Sequence, residues 1–479
     1  MPQRYDLIVV GAGTAGIPAA ITAAEGGARV LLLEQSDRPG GMLHVSAAQM
    51  SGADTALQRA RGIADDPAAH YQDALRISRN TCDAALVGKA VALCGPTIDW
   101  LMSLGFDMDP ACPAILHFHE AYRIPRTYWG RDGGRSVLRV LLPLLDQALA
   151  RPNLTLRLRT EVVGLLAVGP QGGVAGVRLR DAGTGETEEV RAGRVVLATG
   201  GYGGNPAMFA RLNGLPLYTA ALPIATGRGI ELAEAIGARV RGADLLLPTF
   251  AGIEEEPGSG RVVWHHLPSL TPQTRPPWEV FVAPDGRRFV QEDVESVDAR
   301  ERALLNEPGL TFWAVFDETV WRNAPPMLPG WTAAELAAAW DRHPSFCTAP
   351  TLRELARRAG IDAAGLTATI ADYNAGQACG ADAWGRRHLP CPIEVPPFRA
   401  VRMHGIILKT PAGLAVDEAL RVLDGAGEPI PGLYAIGEAI GGATLSGNAF
   451  VGGMRVTPAL AFGRWLGGEL ARQCAGGAA

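Results

Sequence analysis

Short apolar runs that lead directly into glycine turns occur at three places along the chain. The first run, YDLIVV at residues 5–10, is followed by a turn at 11–16, a helical pattern at 17–27 and a second apolar strand at 28–33. This order predicts a βαβ unit. The strand-and-glycine pattern returns at residues 194–205 and 432–442. Turns so far apart predict one sheet assembled from both ends of the chain.

The stretch between the last two glycine turns differs in composition from its flanks. Residues 247–409 contain proline- and tryptophan-rich segments such as HHLPSLTPQTRPPW and PPMLPGW. A chain of 479 residues is long enough for two domains, one of which can interrupt the other. We therefore expect an inserted domain at 247–409 between the two parts of a first domain, at 1–246 and 410–479.

Composition and charge exclude several classes of protein. Hydrophobic residues make up 47% and charged residues 19% of the chain, so we expect a compact fold. The net charge is −5 and the lysines and arginines are scattered along the chain, so we expect no nucleic-acid partner. The 7 cysteines form no CxxC pair, which argues against disulfides and a metal site. No apolar run reaches the ~18 residues of a membrane span, and no signal-peptide pattern precedes the first strand. We expect a cytoplasmic protein without a membrane partner.

The first glycine turn carries a nucleotide-binding pattern. Gly11, Gly13 and Gly16 have the GxGxxG spacing between a strand and a helix. The first glycine permits a tight turn, the second lets a pyrophosphate approach the backbone, and the third lets the helix pack close to the strand. Glu34 ends the second strand, where a carboxylate accepts hydrogen bonds from a ribose and disfavours NADP. A dinucleotide site is the prediction, and an ordinary tight turn is the alternative.

The residues after Glu34 bear on the identity of the dinucleotide. They run QSDRPGGMLHVSAAQMSG, through Gly40 and Gly41 into small residues that suit a large extended ligand. With ATGGYGGN, ATGRGIELAEAIGA, GRRFVQED, PIPGLYAIGEAIGG and GGMRVTPALAFGR further on, nearly the whole chain resembles the fumarate reductase, succinate dehydrogenase and 3-ketosteroid dehydrogenase flavoproteins. The resemblance implies an α/β fold, in which a Rossmann-type, glutathione reductase-like FAD-binding domain is interrupted by an α+β capping domain. It also implies one FAD per chain.

The fingerprint and the resemblance together predict the cofactor-binding residues. By the resemblance, Gly200 lies on the adenosine side, Glu438 near the ribityl chain and pyrophosphate, and Thr457 at the start of a helix under the flavin ring. Thr457 is alternatively only an N-cap, with Pro458 at the first helical position. The predicted residues are Gly11, Gly13, Ala15, Gly16, Glu34, Gln35, Gly40, Gly41, His44, Ser46, Val162, Ala198, Thr199, Gly200, Gly437, Glu438, Thr457, Pro458, Ala459 and Leu460.

His44 raises the question of covalent attachment. It stands five residues before Gln49, the register in which succinate dehydrogenase-like flavoproteins attach FAD to a histidine. A covalent bond would raise the flavin potential and favour oxidation of a saturated substrate. Alternatively, His44 packs against the ring or bonds a backbone group, and Met50 and Ser51 depart from the glycines of that family's motif. Non-covalent FAD is the expectation.

The chain departs from the fumarate reductases at the positions that hold a dicarboxylate. By the resemblance, Ser296 replaces the proton-donating arginine, Lys409 a substrate-binding histidine and Phe450 a late arginine. A carboxylate clamp needs several charge-assisted donors, and two of these positions are neutral. Fumarate and succinate are therefore disfavoured, although Arg300, Arg302 or Lys409 could restore part of the clamp.

The later motif is more similar to the ketosteroid dehydrogenase branch. In that branch a glycine N–H and a tyrosine polarise a ketone, a second tyrosine removes the α-proton, and the β-hydrogen leaves as hydride to flavin N5. Gly453 matches the polarising glycine, but Ala449 and Phe450 stand where the late tyrosine is expected, and Ser296 replaces the proton-abstracting tyrosine. The reaction is carried over as an expectation without those residues.

The remaining acid or base candidates are two tyrosines and a histidine pair. Tyr122 and Tyr128 lie in HEAYRIPRTYWGRDGGRS, where Arg126 or Arg123 could favour a phenolate. His265 and His266 titrate near neutrality, although paired histidines on a loop are more often solvated. Packing aromatics are the alternative for the tyrosines.

The expected function is dehydrogenation of a cyclic ketone, such as a 3-ketosteroid or oxocyclohexane derivative. The alternatives are reduction of an activated alkene or unsaturated acid, and an electron-transfer flavoprotein subunit. No haem CxxCH or iron–sulfur spacing supports the last of these. The expected partner is a small apolar carbonyl or alkene substrate, and the sequence leaves the electron acceptor, the reaction direction and the oligomeric state open.

Overall fold

The computed structural model describes residues 5–168 and 173–476. The strands are β1 Tyr5–Val10, β2 Val30–Leu33, β3 Met50–Ser51, β4 Thr127–Tyr128, β5 Leu154–Arg157, β6 Thr160–Val168, β7 Gly173–Asp181, β8 Thr187–Leu197, β9 Val240–Arg241, β10 Thr249–Gly252, β11 Val280–Val282, β12 Thr311–Phe316, β13 Phe346–Ala349, β14 Phe398–Ile406, β15 Gly413–Leu414, β16 Arg421–Leu423 and β17 Pro429–Ala435. The helices are α1 Gly16–Glu25, α2 Ala56–Ala60, α3 Pro67–Ile77, α4 Ala84–Ser103, α5 Gly134–Leu149, α6 Pro206–Asn213, α7 Arg228–Glu234, α8 Val297–Leu304, α9 Glu318–Asn323, α10 Ala333–Arg342, α11 Leu352–Ala359, α12 Ala363–Cys379, α13 Gly442–Ser446 and α14 Val456–Gly476.

The larger sheet has eight strands and draws on both ends of the chain. Strands β16, β17, β8, β1, β2 and β5 lie side by side in that order, and the β6–β7 hairpin attaches to β8. The pairs β17–β8, β8–β1, β1–β2 and β2–β5 are parallel. Because the late strand β17 lies beside β8, and β8 beside β1, the predicted single sheet is confirmed.

Two helices of small residues hold the chain ends together. A Cβ on Gly16 of α1 would lie 1.8 Å from the Gly11 carbonyl oxygen, so glycine alone lets this helix begin so close to the turn. On α14, a Cβ on Gly463 or Gly467 would lie 2.3 Å from the carbonyl oxygens of Ala15 and Ala19, respectively. The backbones of α1 and α14 therefore pack side by side in the same direction, and both helices begin at the same edge of the sheet.

The middle of the chain forms a second, antiparallel sheet, which we call the cap. Its strands run in the order β10, β14, β12, β11, and β13 pairs with β14. One hydrophobic cluster extends from Phe250 to Met403, whereas the cluster of the larger sheet draws on residues before and after the cap. Two separate cores suit an inserted domain, and the boundaries at 246/247 and 409/410 stay a prediction.

Helix α4 is the one described helix that is long and apolar enough to cross a membrane. It packs against α3 and α14, and 50% of its most apolar window is buried inside the protein. Half of that apolar window is therefore covered by the rest of the fold.

Candidate active site

An elongated cavity of about 910 Å³ extends from the turn after β1 to the inner side of the cap. Its walls come from both parts of the larger sheet's domain and from the cap, as Gly11, Glu438 and Phe250 illustrate. The glycine turns at this cavity follow the carboxyl ends of the parallel strands β1, β8 and β17. Ligands of open α/β sheets bind at that edge.

Backbone forms much of the dinucleotide end, the part of the cavity around Gly11, Gly13 and Glu34. Gly11 has a φ of +103°, and a Cβ there would lie 2.5 Å from the Ala198 oxygen, so this turn requires glycine. Gly13 faces open space, because no atom lies within 4 Å of the place a Cβ would take. A pyrophosphate can therefore approach the Gly13 backbone beside the start of α1, where N–H groups and the helix dipole attract an anion.

Two carboxylates in this region are held in place by the backbone. Glu34 accepts hydrogen bonds from the N–H groups of Ala12 and Ser36, each at 2.9 Å. Glu438 accepts from Thr410 N–H at 2.8 Å and from the Thr410 hydroxyl at 2.9 Å. Since a carboxylate oxygen has more than one acceptor site, both groups remain able to accept a ligand hydroxyl.

Most of the predicted cofactor residues line the cavity. They are Gly11, Gly13, Ala15, Glu34, Gln35, Gly41, Ser46, Val162, Ala198, Thr199, Gly200, Gly437, Glu438, Pro458 and Ala459. The buried Thr199 hydroxyl has no hydrogen-bond partner within the described ranges, so it is available to a ligand. Open glycine backbone, fixed carboxylates and a free buried hydroxyl fit an extended dinucleotide.

Three predicted cofactor residues act through packing. Gly16 brings α1 onto the turn, and Leu460 is fully buried in the core of α14. Thr457 is not an N-cap, because α14 already begins at Val456. Its hydroxyl instead accepts a hydrogen bond from the Ser51 N–H at 2.9 Å, which ties the start of α14 to β3.

His44 and Gly40 also lie outside the cavity lining. The His44 ring nitrogen Nε2 is 2.9 Å from the Pro39 carbonyl oxygen. Gly40 has a φ of +120°, and a Cβ there would lie 2.6 Å from the same ring nitrogen. The structure thus places His44 against the backbone, which was the alternative to a covalent link.

Two cations and an aromatic ring meet at the cap end, the part of the cavity around Lys409, Phe450 and Arg455. Burial and the charge of Arg455 lower the pKa of Lys409 to about 7. The Arg455 guanidinium carbon lies 4.1 Å from the centre of the Phe450 ring, and burial lowers the pKa of Arg455 to about 10. Over residues 5–168 and 173–476, these cations bond the carbonyls of Ala449 and Leu408, and neither makes an ion pair.

A carboxyl group and an imidazole complete the cap end. Glu301 comes from α8 and His119 from the loop before β4, and both line the cavity. The His119 ring stacks on Phe450 with centroids 3.6 Å apart, and its Nδ1 is 3.5 Å from Glu301 Oε1. Burial raises the pKa of Glu301 to about 8 and lowers the pKa of His119 to about 3. At neutral pH both groups are largely uncharged, so the positive charge here comes from Arg455 and from the protonated fraction of Lys409, which a bound carboxylate would increase.

The arginines of α8 do not form the carboxylate clamp considered from the sequence. Arg300 lines the cavity, but it donates to the Leu270 carbonyl and its guanidinium carbon lies 5.3 Å from the Phe250 ring centre. Arg302 lies outside the lining; it donates to the Asn448 carbonyl at 2.9 Å and pairs with Asp298 at 3.4 Å.

The two candidate tyrosines are not brought to the cavity. Tyr122 is buried and donates to the Gly452 carbonyl, and Tyr128 in β4 lies 2.7 Å from the Thr55 hydroxyl. Burial raises the pKa of both phenols, so neither is poised to lose a proton at neutral pH. The prediction that they act as bases is corrected to a packing role, in which Tyr122 holds the turn before Gly453.

Of the remaining catalytic candidates, only Gly453 lines the cavity. It has a φ of +73°, and a Cβ there would lie 2.3 Å from the Ser51 nitrogen. Ser296 is the N-cap of α8, with its hydroxyl accepting from the Ala299 N–H and donating to Glu120. His265 is exposed on a short turn from which its neighbour Trp264 reaches the cavity. Ser296 and His265 are therefore corrected to positions outside the site.

Three cap-end residues were missed from the sequence. Arg455 stands inside the GGMRV motif, His119 opens the HEAYR segment, and Glu301 lies between two arginines that were considered. Each was visible in a segment already singled out. The sequence could not show that the loop before β4, helix α8 of the cap and the residue before α14 meet in space, because these segments are distant in the chain.

The fold and the glycine-lined cavity define a dinucleotide-binding protein, and comparison with known proteins identifies the dinucleotide as FAD. A model of the FAD binding domain family matches residues 6–453. The probable fumarate reductase Ifc3 of Shewanella frigidimarina (strain NCIMB 400) is 31% identical over 98% of this chain and 75% of that protein. A 3-oxosteroid 1-dehydrogenase of Mycobacterium tuberculosis is 26% identical over 96% of this chain and 97% of that protein.

A solved structure extends the comparison to the fold. The open conformation of a flavocytochrome c3 fumarate reductase matches with a TM-score of 0.73 and 29% identity, covering 98% of this chain and 79% of that one. The chain belongs to the FAD binding domain family. It is an FAD-dependent oxidoreductase of the group that acts on CH–CH bonds, and the residues of the dinucleotide end would hold its FAD.

Proposed function

We propose that the enzyme reduces the double bond of a small unsaturated carboxylic acid with an apolar body. The observation that supports this proposal best is the pair of cations at the cap end, Lys409 and Arg455, which line the cavity without an ion-pair partner in the described part of the chain. A buried cation without a counter-ion is unfavourable, and a ligand carboxylate would remove that penalty.

The same cations would assist the reaction. FAD, when reduced, supplies a hydride to a carbon–carbon double bond. Negative charge then develops on the carboxylate that is conjugated with the bond. Preorganised positive groups aimed at that charge stabilise the transition state more than the ground state. Lys409 and Arg455 are such groups in this proposal.

Aromatic side chains support an apolar substrate body rather than a second carboxylate. Phe118, Trp264 and Phe250 line the cavity near the cap, and Phe450 stands where the resemblance expects an arginine. An aromatic or branched monocarboxylate therefore suits the site better than fumarate. In place of the mostly apolar substrate expected from the sequence, we propose an apolar molecule with one charged end.

Dehydrogenation of a cyclic ketone remains the second candidate. Gly453 lines the cavity at the position that polarises a ketone in the ketosteroid dehydrogenase branch. Against it, the cavity has no tyrosine in its lining among residues 5–168 and 173–476. A ketone dehydrogenase would need another base.

The electron partner and the location are also part of the proposal. A reductase requires an electron donor, and the related proteins differ in theirs, so we propose a separate donor that reduces the flavin. The cytoplasm remains the proposed location, supported by 7 cysteines that are all free.

Anaerobic half-reactions test the proposal. The holoenzyme is photoreduced and mixed with cinnamate, fumarate or cyclohexenone, and the oxidised enzyme is mixed with cyclohexanone or a 3-ketosteroid. We expect cinnamate-type acids to reoxidise the flavin fastest, with the saturated acid as product. Bleaching of the oxidised flavin by saturated ketones, without reoxidation by any acid, would establish the second candidate instead.

A further inference from the structure

Glu301 differs from the other buried acids of the protein. Its side chain is 1% exposed, yet neither carboxyl oxygen has a hydrogen bond of normal geometry to any described residue. The buried Glu279 and Glu292, by contrast, pair with Arg275 and Arg288, each with an N–O distance of 2.9 Å. An unpaired buried carboxyl is unfavourable in a folded protein, and such groups are concentrated at functional sites.

The neighbouring arginines do not satisfy Glu301, because they are engaged elsewhere. Arg300 donates to the Leu270 carbonyl, and Arg302 donates to the Asn448 carbonyl. Glu301 instead lines the cavity beside His119. The titratable and charged groups around it are Asp298, Arg300 and Arg302 on α8, His119 and Glu120 in the loop before β4, Lys409 after β14 and Arg455 before α14.

We infer that Glu301 is the proton donor of the reaction, which protonates the substrate carbon next to the carboxylate. This inference rests on the proposed function. The Glu301 O–H bond breaks and a C–H bond forms at that carbon. The hydride with its two electrons, which the other carbon of the double bond receives, would come from reduced FAD held at the dinucleotide end. The product is the saturated acid. Glu301 remains as a carboxylate and recovers a proton from water at the cavity mouth.

The protonation states of the site agree with this assignment. Burial raises the pKa of Glu301 to about 8, so the carboxyl carries its proton at neutral pH. His119 cannot be the donor there, since burial lowers its pKa to about 3 and it is neutral. A general acid works best when its pKa lies near the working pH.

Glu301→Gln and Glu301→Asp test the assignment, with Glu295→Gln, an exposed glutamate outside the cavity lining, as the matched control. The photoreduced holoenzymes are mixed with saturating cinnamate, and binding of the unreactive saturated acid to the oxidised enzymes is titrated separately. We expect E301Q to bind that acid within about threefold of wild type and to slow flavin reoxidation by roughly 10²–10⁴-fold. E301D should recover part of the rate, and E295Q should match wild type.

The pH profile gives a readout that a purely structural role would not change. Only the protonated acid donates, so the wild-type rate should fall as the pH rises above about 8, a fall that E301Q lacks. A wild-type rate in E301Q, or a loss that merely follows weaker binding of the saturated acid, would overturn the role of Glu301. If no acid reoxidises the wild-type flavin, the proposed function has failed, and the inference fails with it.

Discussion

The two ends of the cavity differ in the groups that line them. At the dinucleotide end glycines of three turns line the wall, and the carboxylates of Glu34 and Glu438 are held by N–H and hydroxyl groups. At the cap end side chains line the wall; within residues 5–168 and 173–476 Lys409 and Arg455 make no ion pair, and Glu301 faces only the neutral His119 ring. The first end is therefore complete without a substrate, whereas the second is a set of polar groups that a ligand would satisfy.

The difference teaches where binding and chemistry reside. A backbone-lined groove recognises a ligand common to a whole family, because any chain with those glycines can form it. Side chains from three distant segments meet at the cap end and can change independently of the glycine turns, so we expect the cap end to determine the substrate. The predictions that follow perturb one end while leaving the other intact.

The largest effect is expected at Gly13. Because a Cβ at Gly13 would meet no protein atom, Gly13→Val should fold normally but obstruct the pyrophosphate. We expect affinity for FAD to fall by more than about a hundredfold, roughly 2.7 kcal/mol, with the unfolding temperature of the apoprotein unchanged. Flavin content and thermal unfolding measure both. Gly425→Val, at another open glycine away from the cavity, is the control and should keep its flavin. If G13V kept its full flavin content, the assignment of the dinucleotide end as the FAD-binding site would be wrong.

The next effect concerns the two cations. Lys409→Met and Arg455→Met should each weaken binding of a saturated carboxylate to the oxidised holoenzyme by about 10–100-fold, the contribution of a hydrogen bond between charged groups. Titration of the flavin spectrum measures it. Arg464→Met, which removes an arginine from the face of Trp100 outside the cavity lining, should bind normally. If both cavity variants kept the wild-type affinity, the carboxylate would not bind at the cap end.

Glu301 should also make stability depend on pH. Its pKa is raised from 4.5 to about 8 in the folded state, so the folded protein holds a proton that the unfolded chain releases between these values. The free energy of unfolding therefore falls as pH rises across that window, by at most about 1.4 kcal/mol per pH unit from this group. Denaturant unfolding at pH 5.5 and pH 8 should show a smaller decline in Glu301→Gln than in wild type. Equal declines would mean that Glu301 is not protonated in the folded protein.

The smallest effect is expected at His44. Because its ring bonds the Pro39 carbonyl rather than lining the cavity, FAD should be released by acid precipitation, and His44→Ala should lose little activity. Yellow colour in the precipitate, with an added flavin mass on the His44 peptide, would show a covalent link.

The dinucleotide end could be predicted from the sequence because its determinants are local. The run from Tyr5 to Glu34 contains the strand, the turn, the helix and the carboxylate in one stretch, and the spacing of Gly11 and Gly13 has a direct physical cause. Thr457 shows the limit even here, since its position suggested a helix cap and its hydroxyl instead bonds the Ser51 N–H.

The cap end could not be predicted because no local pattern specifies it. Tyr122 and Tyr128 have the right chemistry for a base, but tertiary packing turns their hydroxyls toward Gly452 and Thr55. Conversely, Glu301 has the sequence surroundings of an exposed helix face, and becomes a buried acid where α8 packs against β10 and approaches the loop that carries His119. Burial, which decides the protonation state, is not a property of a short segment.

A crystal structure of the oxidised holoenzyme with 3-phenylpropionate, a saturated monocarboxylate, would show whether the two cap-end cations bind a substrate carboxylate. We expect FAD along the glycine turns, the carboxylate at about 3 Å from Lys409 Nζ and the Arg455 guanidinium, and the ring among the aromatic side chains below the cap. A carboxylate bound elsewhere, or Lys409 and Arg455 both engaged by the phosphates of FAD, would contradict this expectation.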